Sequence, residues 1–96
     1  MENYYQSTNN YQLRKIANQT FLFPVGKKAD ELQGAIVLNE MSEYVWNLIH
    51  EPLLLEEIIS KIEDAYDTEN VDLRSFIVPL LNQFEAYGVL EQASKR

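Results

Sequence analysis

Residues 34–49, GAIVLNEMSEYVWNLI, change character at a single point. Up to Leu38 the run is short, continuous and apolar, which reads as a strand buried on one face. From Glu40 onward the apolar residues fall at helical spacing. Met41, Tyr44, Val45, Leu48 and Ile49 make one stripe. Asn39 stands at the join, where its side-chain oxygen can accept from the first free N–H groups of a helix over 40–49. A strand feeding a capped amphipathic helix predicts a domain that mixes both element types. His50-Glu51-Pro52 then breaks the helix.

Upstream of the join, Gly26–Gln33 is a charged loop, and Thr20–Val25 (TFLFPV) is an aromatic, β-branched strand. Pro24 cannot donate to a ladder, so that end lies at a sheet edge or the strand stops there. Tyr11–Ile16 alternates and predicts a half-exposed strand, with a tight turn at Asn18-Gln19. Residues 1–10 are polar and without period, and are expected to form a mobile tail, although Tyr4 and Tyr5 suit packing or an extension of the first strand.

Downstream, a second helix is expected over 56–66 with Ile58, Ile59, Ile62 and Tyr66 inward. A third runs over 72–87 with Leu73, Ile77, Leu80, Phe84 and Tyr87 as its core seam. Pro79 predicts a kink there, Gly88 a left-handed end, and Val89-Leu90 a short extended piece. Residues 92–96 read as a second tail, leaving one domain over 11–91. Three strands followed by three helices predict an α+β fold, a winged helix-turn-helix with a three-stranded antiparallel sheet.

The 96 residues permit one domain with a modest core. Without cysteine the chain cannot form disulfides or supply thiolates to zinc or an iron–sulfur cluster. No apolar run reaches the ~18–20 residues of a membrane span, and MENYYQSTNN lacks the features of a secretory signal. A cytoplasmic setting with no membrane partner is the expectation. The net charge of −7 is unevenly placed. Residues 40–72 carry ten acids and one base, a local −9, while each flank sums to +1. Such a balance disfavours nucleic acid, whose binding draws on clustered Lys and Arg. The acidic block reads as a solvated helical face, or as a docking surface for a basic partner.

Catalysis needs convergent titratable groups, and few are in view. His50 is the sole histidine and reads as a surface or capping group. The glycines at 26, 34 and 88 are isolated and make no phosphate loop. The acid pairs Glu56-Glu57 and Glu63-Asp64 are helix neighbours that point about 100° apart. No cofactor or metal site is expected, and a binding module fits better than an enzyme.

A winged helix serves two function classes. In a DNA-binding regulator the third helix enters the major groove. That helix here offers Arg74, Asn82 and Gln83 beside Asp72 and Glu85, a poor footprint for phosphate. The second class rests on particular residues. Leu38-Asn39-Glu40, Val45-Trp46 with Leu48-Ile49, Leu55-Glu56-Glu57-Ile58-Ile59 and Ala65-Tyr66-Asp67 follow in order. Leu80-Leu81, Phe84 and Gly88-Val89-Leu90 complete the set, and Ile16–Pro24 adds a hairpin upstream. Over residues 11–91 this array resembles the PqqD family, the peptide-recognition domain of pathways that make ribosomally synthesised, modified peptides. The chain departs from the family pattern at Met41-Ser42, at His50-Glu51 and at Phe76.

The resemblance implies that the chain binds the leader of a precursor peptide by strand addition and presents it to a separate modifying enzyme. That partner would be a radical enzyme, a cyclase or a leader peptidase, and the chain itself a monomer or weak dimer. Gly34, Ala35, Ile36, Val37 and Leu38 would be the template strand, with a small residue at 34 or 35 admitting a ligand backbone. The third helix would supply the other wall. On an ideal wheel Arg74, Val78, Leu81 and Glu85 share one flank, and Phe76, Gln83 and Tyr87 lean to the other. The first flank, with Ile77 beside it, is the one expected to line the groove, because Leu81 extends the apolar stripe towards it. Groove and acidic block would then face different ways.

Overall fold

The computed structural model describes residues 3–26 and 34–94. Five strands and three helices follow the order β1 (Tyr4–Ser7), β2 (Tyr11–Ile16), β3 (Gln19–Pro24), β4 (Ile36–Leu38), α1 (Glu40–Leu48), α2 (Leu55–Ala65), α3 (Leu73–Ala86) and β5 (Leu90–Ala93). β2, β3 and β4 form an antiparallel sheet in that spatial order, and β1 pairs antiparallel with β5 in a second, two-stranded one. The expected α+β fold, a three-stranded antiparallel sheet with three helices, is present. From Lys27 on, the charged loop expected over Gly26–Gln33 lies outside the described residues.

The β2–β3 hairpin turns at Ala17-Asn18, one residue before the expected place. Both residues hold positive φ, 51° and 68°. Two successive left-handed residues match the twist of a two-residue hairpin, so Gln19 is already paired with Ile16. Leu22 and Leu38 point into the core, while Phe21 and Val37 stand opposite each other on the outer face. Thr20 is buried, and its hydroxyl donates to Glu43 Oε1 at 2.9 Å. Lys15 closes on the same carboxylate at 3.1 Å. β2 and β3 are thereby tied to α1. The Thr20 hydrogen bond first, and Lys15 second, hold Glu43 below the ordinary glutamate value.

α1 begins as the sequence predicts. Asn39 Oδ1 accepts from the Ser42 N–H at 2.8 Å, and the Asn39 N–H donates back to Ser42 Oγ at 2.8 Å. These bonds satisfy two backbone donors at the helix entry. α2 opens on a one-sided version, in which Glu57 Oε1 accepts from the Leu54 N–H at 2.9 Å and Leu54 returns nothing. α3 runs unbroken through Pro79 and ends at Gly88, with φ 77°. Its buried residues are Leu73, Ile77, Leu81 and Phe84, so the seam sits one step round from the expected one. Leu80 is half-buried and Tyr87 exposed.

Tyr4–Ser7, expected to be mobile, is a strand pinned along both sides. Tyr4 to Ser7 register with Ala93 to Leu90. On the other side the Tyr5 N–H donates to Leu53 O at 2.7 Å and Tyr5 O accepts from Leu53 N at 3.0 Å. The Ser7 N–H reaches Ile49 O at 2.7 Å. Just beyond the strand, Thr8 Oγ1 donates to Gly88 O at 2.6 Å, and Tyr11 OH to Tyr87 O at 2.6 Å. The N-terminal segment thus satisfies carbonyls that the end of α3 leaves free. Low hydrophobicity hides this role from the sequence, because these bonds are made by backbone and small polar groups rather than by an apolar stripe.

Candidate functional site

Three strands have a neighbour on one side alone among the described residues: β2, β4 and β5. Strand edges of this kind present unpaired N–H and C=O groups. The exposed residues of β2 are Gln12, Arg14, Lys15 and Ile16, and those of β5 are Glu91 and Gln92, so both edges carry mostly polar side chains. β4 differs. Ile36, Val37 and Leu38 line a cleft of about 160 Å³ whose opposite wall is Leu80 and Gln83 of α3 with Tyr87 at its C-cap.

That wall is not the one expected. Arg74 lies on the far flank of α3, paired with Glu56 of α2 and set beside Tyr5 and Gln92. Leu81 is 1% exposed and belongs to the core. Val78 is exposed and lines neither this cleft nor the cavity next to it. The physical reason is rotational. The buried stripe centres between Ile77 and Leu81 rather than on Leu80, which turns Leu80, Gln83 and Tyr87 towards β4 and Phe76 into the cavity beside Met41. Of the helix residues expected at the site, Ile77 alone keeps a place, in the wall of the neighbouring cavity.

On the strand side, Ile36, Val37 and Leu38 are in position, whereas Gly34 and Ala35 precede the strand. Gly34 is exposed and holds φ 88°, and a side chain at that point would meet nothing within 4 Å. Its backbone angle, not a close approach, is what calls for glycine. Val37 is 61% exposed and points to the outer face of the sheet, so it flanks the cleft rather than floors it.

The cleft continues into a second cavity, of about 460 Å³, through the shared residues Asn39, Ser42, Leu80 and Gln83. Its walls add Met41 from α1 and Val71, Phe76 and Pro79 from the α3 side. Phe76, at 67% exposure, stood out in the sequence only as a departure from the family pattern and by its place on the other wheel flank. The acidic block does not wholly face away, since Glu40 and Glu43 lie beside Val37 and Leu38.

His50 sits at the opposite rim. Its Nδ1 is 2.9 Å from Ser7 Oγ, and its ring packs edge-on against Trp46 with centroids 4.5 Å apart. The pair ties β1 to the end of α1. Trp46 Nε1 is buried without a hydrogen-bond partner among the described residues.

The fold and the open β4 edge define a small α+β domain in which one sheet edge, lined by a helix, is free. The family model of coenzyme PQQ synthesis protein D (PqqD) matches residues 20–90 of the 96, and the chain belongs to that family. β1, β2, the first residue of β3 and most of β5 lie outside the match. No curated protein and no solved structure matches the chain. No helix among the described residues is long and apolar enough to cross a membrane.

Proposed function

We propose that this protein is a non-catalytic peptide chaperone of a pathway that modifies ribosomally made peptides. It binds the leader segment of a precursor by strand addition to β4 and presents it to a separate modifying enzyme: a radical enzyme, a cyclase or a leader peptidase. Family membership supports the peptide-binding role. The observation that carries the mechanism is the free edge of Ile36–Leu38 beside a cleft walled by α3. Main-chain pairing supplies affinity with little sequence preference, and the cleft side chains supply selectivity. A DNA-binding reading finds no support in α3, whose one cation, Arg74, is paired with Glu56.

The test is an amide-shift titration of the labelled protein with the leader of the precursor encoded nearest its gene. Shifts are expected at 36–38 and along 76–87, with β1 and β5 unmoved. An unperturbed β4 at high peptide excess would overturn strand addition. Val37→Asp, at an exposed position that folding tolerates, is expected to weaken binding about tenfold by placing a carboxylate against the incoming strand.

A further inference from the structure

A strand added to β4 brings a second edge of its own. Successive residues of a paired strand turn their N–H and C=O groups to opposite sides, so every second residue faces β4 and those between face away. Beside a helix wall the groups that face away are cut off from water, and a buried main-chain group without a partner costs as much as a lost hydrogen bond. Pairing with β4 satisfies one side of the peptide and leaves the other side to α3.

Along the cleft that wall is Leu80, Gln83 and Phe84 with Tyr87 at the helix end. Leu80 and Phe84 are apolar. The carbonyls of the last turn are committed: Gln83 O accepts from the Tyr87 N–H at 3.0 Å, Phe84 O from the Val89 N–H at 2.7 Å and Tyr87 O from Tyr11 OH at 2.6 Å. Asn39 and Ser42, which also line the cleft, are hydrogen-bonded to each other in the cap of α1. What the wall still offers is the Gln83 amide and the Tyr87 hydroxyl. Both residues are exposed, and neither side chain has a hydrogen-bond partner among the described residues. The Gln83 amide carries the donors and acceptor of a peptide unit, and the Tyr87 hydroxyl both donates and accepts.

Their spacing suits the task. The Tyr87 N–H bond to Gln83 O sets the two residues one helical turn apart, a rise of ~6 Å. Groups on one side of an extended chain recur every ~6.6–6.8 Å. The two repeats differ by less than about 1 Å. Gln83 stands at the centre of the groove as well. Together with Asn39, Ser42 and Leu80 it lines both the cleft and the larger cavity, so the two hollows form one trough. Tyr87 is fixed at its main chain from both sides, by Gln83 and by Tyr11, before any peptide arrives.

We propose that Gln83 and Tyr87 are the second strand partner of the bound peptide. The Gln83 amide pairs with the N–H and C=O of one residue that faces away from β4, and the Tyr87 hydroxyl with the like-facing residue two positions along. The inference rests on the strand-addition reading and gives that site a main-chain clamp. Such a clamp accepts many side chains but disfavours proline at the clamped positions, since proline has no N–H to offer.

The probe is a dodecapeptide selected by phage display on the full-length protein, then synthesised as a series with one main-chain amide at a time replaced by an ester. Each ester removes an N–H donor and keeps the side chains. On the wild type, esters in both alternating sets are expected to weaken binding about three- to tenfold each. On Gln83→Leu one position loses that sensitivity, and on Tyr87→Phe the position two residues from it does. Esters in the set that faces β4 keep their effect on both variants. Gln83→Ala replaces Gln83→Leu should the latter not unfold cooperatively on heating. If one alternating set alone matters on the wild type, or both variants keep every sensitivity, the clamp falls while the remaining set keeps strand addition standing. Should Gln83→Leu erase the effect of an alanine substitution in the peptide rather than that of an ester, Gln83 reads a side chain and the proposal is overturned. If no ester weakens binding, or no peptide is selected, strand addition fails and the clamp with it.

Discussion

Tyr4–Ser7 and Ile36–Leu38 are both short strands at the rim of the domain, and they differ in what lies on their second side. β1 is bonded to β5 on one flank and to Leu53 and Ile49 on the other, so its backbone is spent on holding the domain together. β4 is bonded to β3 and then meets a cleft. A strand sealed on both sides contributes stability, whereas one left open beside a cleft leaves backbone groups that another chain could pair with. Substitutions in the two strands should therefore separate stability from binding.

The largest effect is expected where both regions share a support. Phe84 is buried under the cleft, and its carbonyl accepts from Val89 at 2.7 Å at the turn into β5. Phe84→Ala should cost about 3–5 kcal/mol in denaturant unfolding and weaken peptide binding together. A loss of binding at unchanged stability would show that the two regions do not rest on one core.

Tyr5→Pro addresses the sealed strand alone. It removes the donor to Leu53 and the Tyr5 ring packed on the core, for a loss of about 2–3 kcal/mol. For a chain of this size each kcal/mol shifts the melting temperature by about 4–8 °C. At a temperature where the variant stays folded, peptide affinity should equal that of the wild type. An affinity that falls with the melting temperature would break the separation.

A smaller change, of opposite sign, is expected at the β2–β3 turn. Ala17 holds φ 51°, a conformation that a Cβ disfavours. Ala17→Gly should stabilise by about 0.5–1 kcal/mol, and thermal unfolding with unchanged peptide affinity is the check.

The smallest effect concerns acid. Glu43 is held below its ordinary value by Thr20 and Lys15, so its contribution is present at neutral pH and fades as pH falls through the depressed folded-state value. Glu43→Gln should flatten the acid limb of the stability profile below about pH 5 and leave the alkaline side alone. An unchanged acid limb would mean that the tie between the open sheet and α1 is not electrostatic.

Most of the scaffold was legible in the chain. The switch from strand to helix at Asn39, the stripe of α2 and the left-handed end at Gly88 follow from spacing, capping and backbone freedom, whereas α1 buries Ser42 and Trp46 beside the expected Val45. These are short-range rules, read from residues within a turn of each other. β4 as a strand was legible for the same reason, as an apolar pentapeptide at a join. β1 was not, because its partners Leu53 and Leu90–Ala93 are more than forty residues away in sequence.

What the sequence determined by itself is the class of the domain, the order of its elements from Tyr11 on, its uneven charge and its likeness to the PqqD family. The tertiary structure alone decided which flank of α3 faces β4. Two flanks of that helix lie within one step of the apolar stripe, and a wheel centred on Leu80 favours the flank of Arg74. The packing of Ile77, Leu81 and Phe84 into one core turns the helix until Phe76, Leu80 and Tyr87 line the trough. Rotation of a helix about its axis is set by the elements it packs against, and those contacts are long-range.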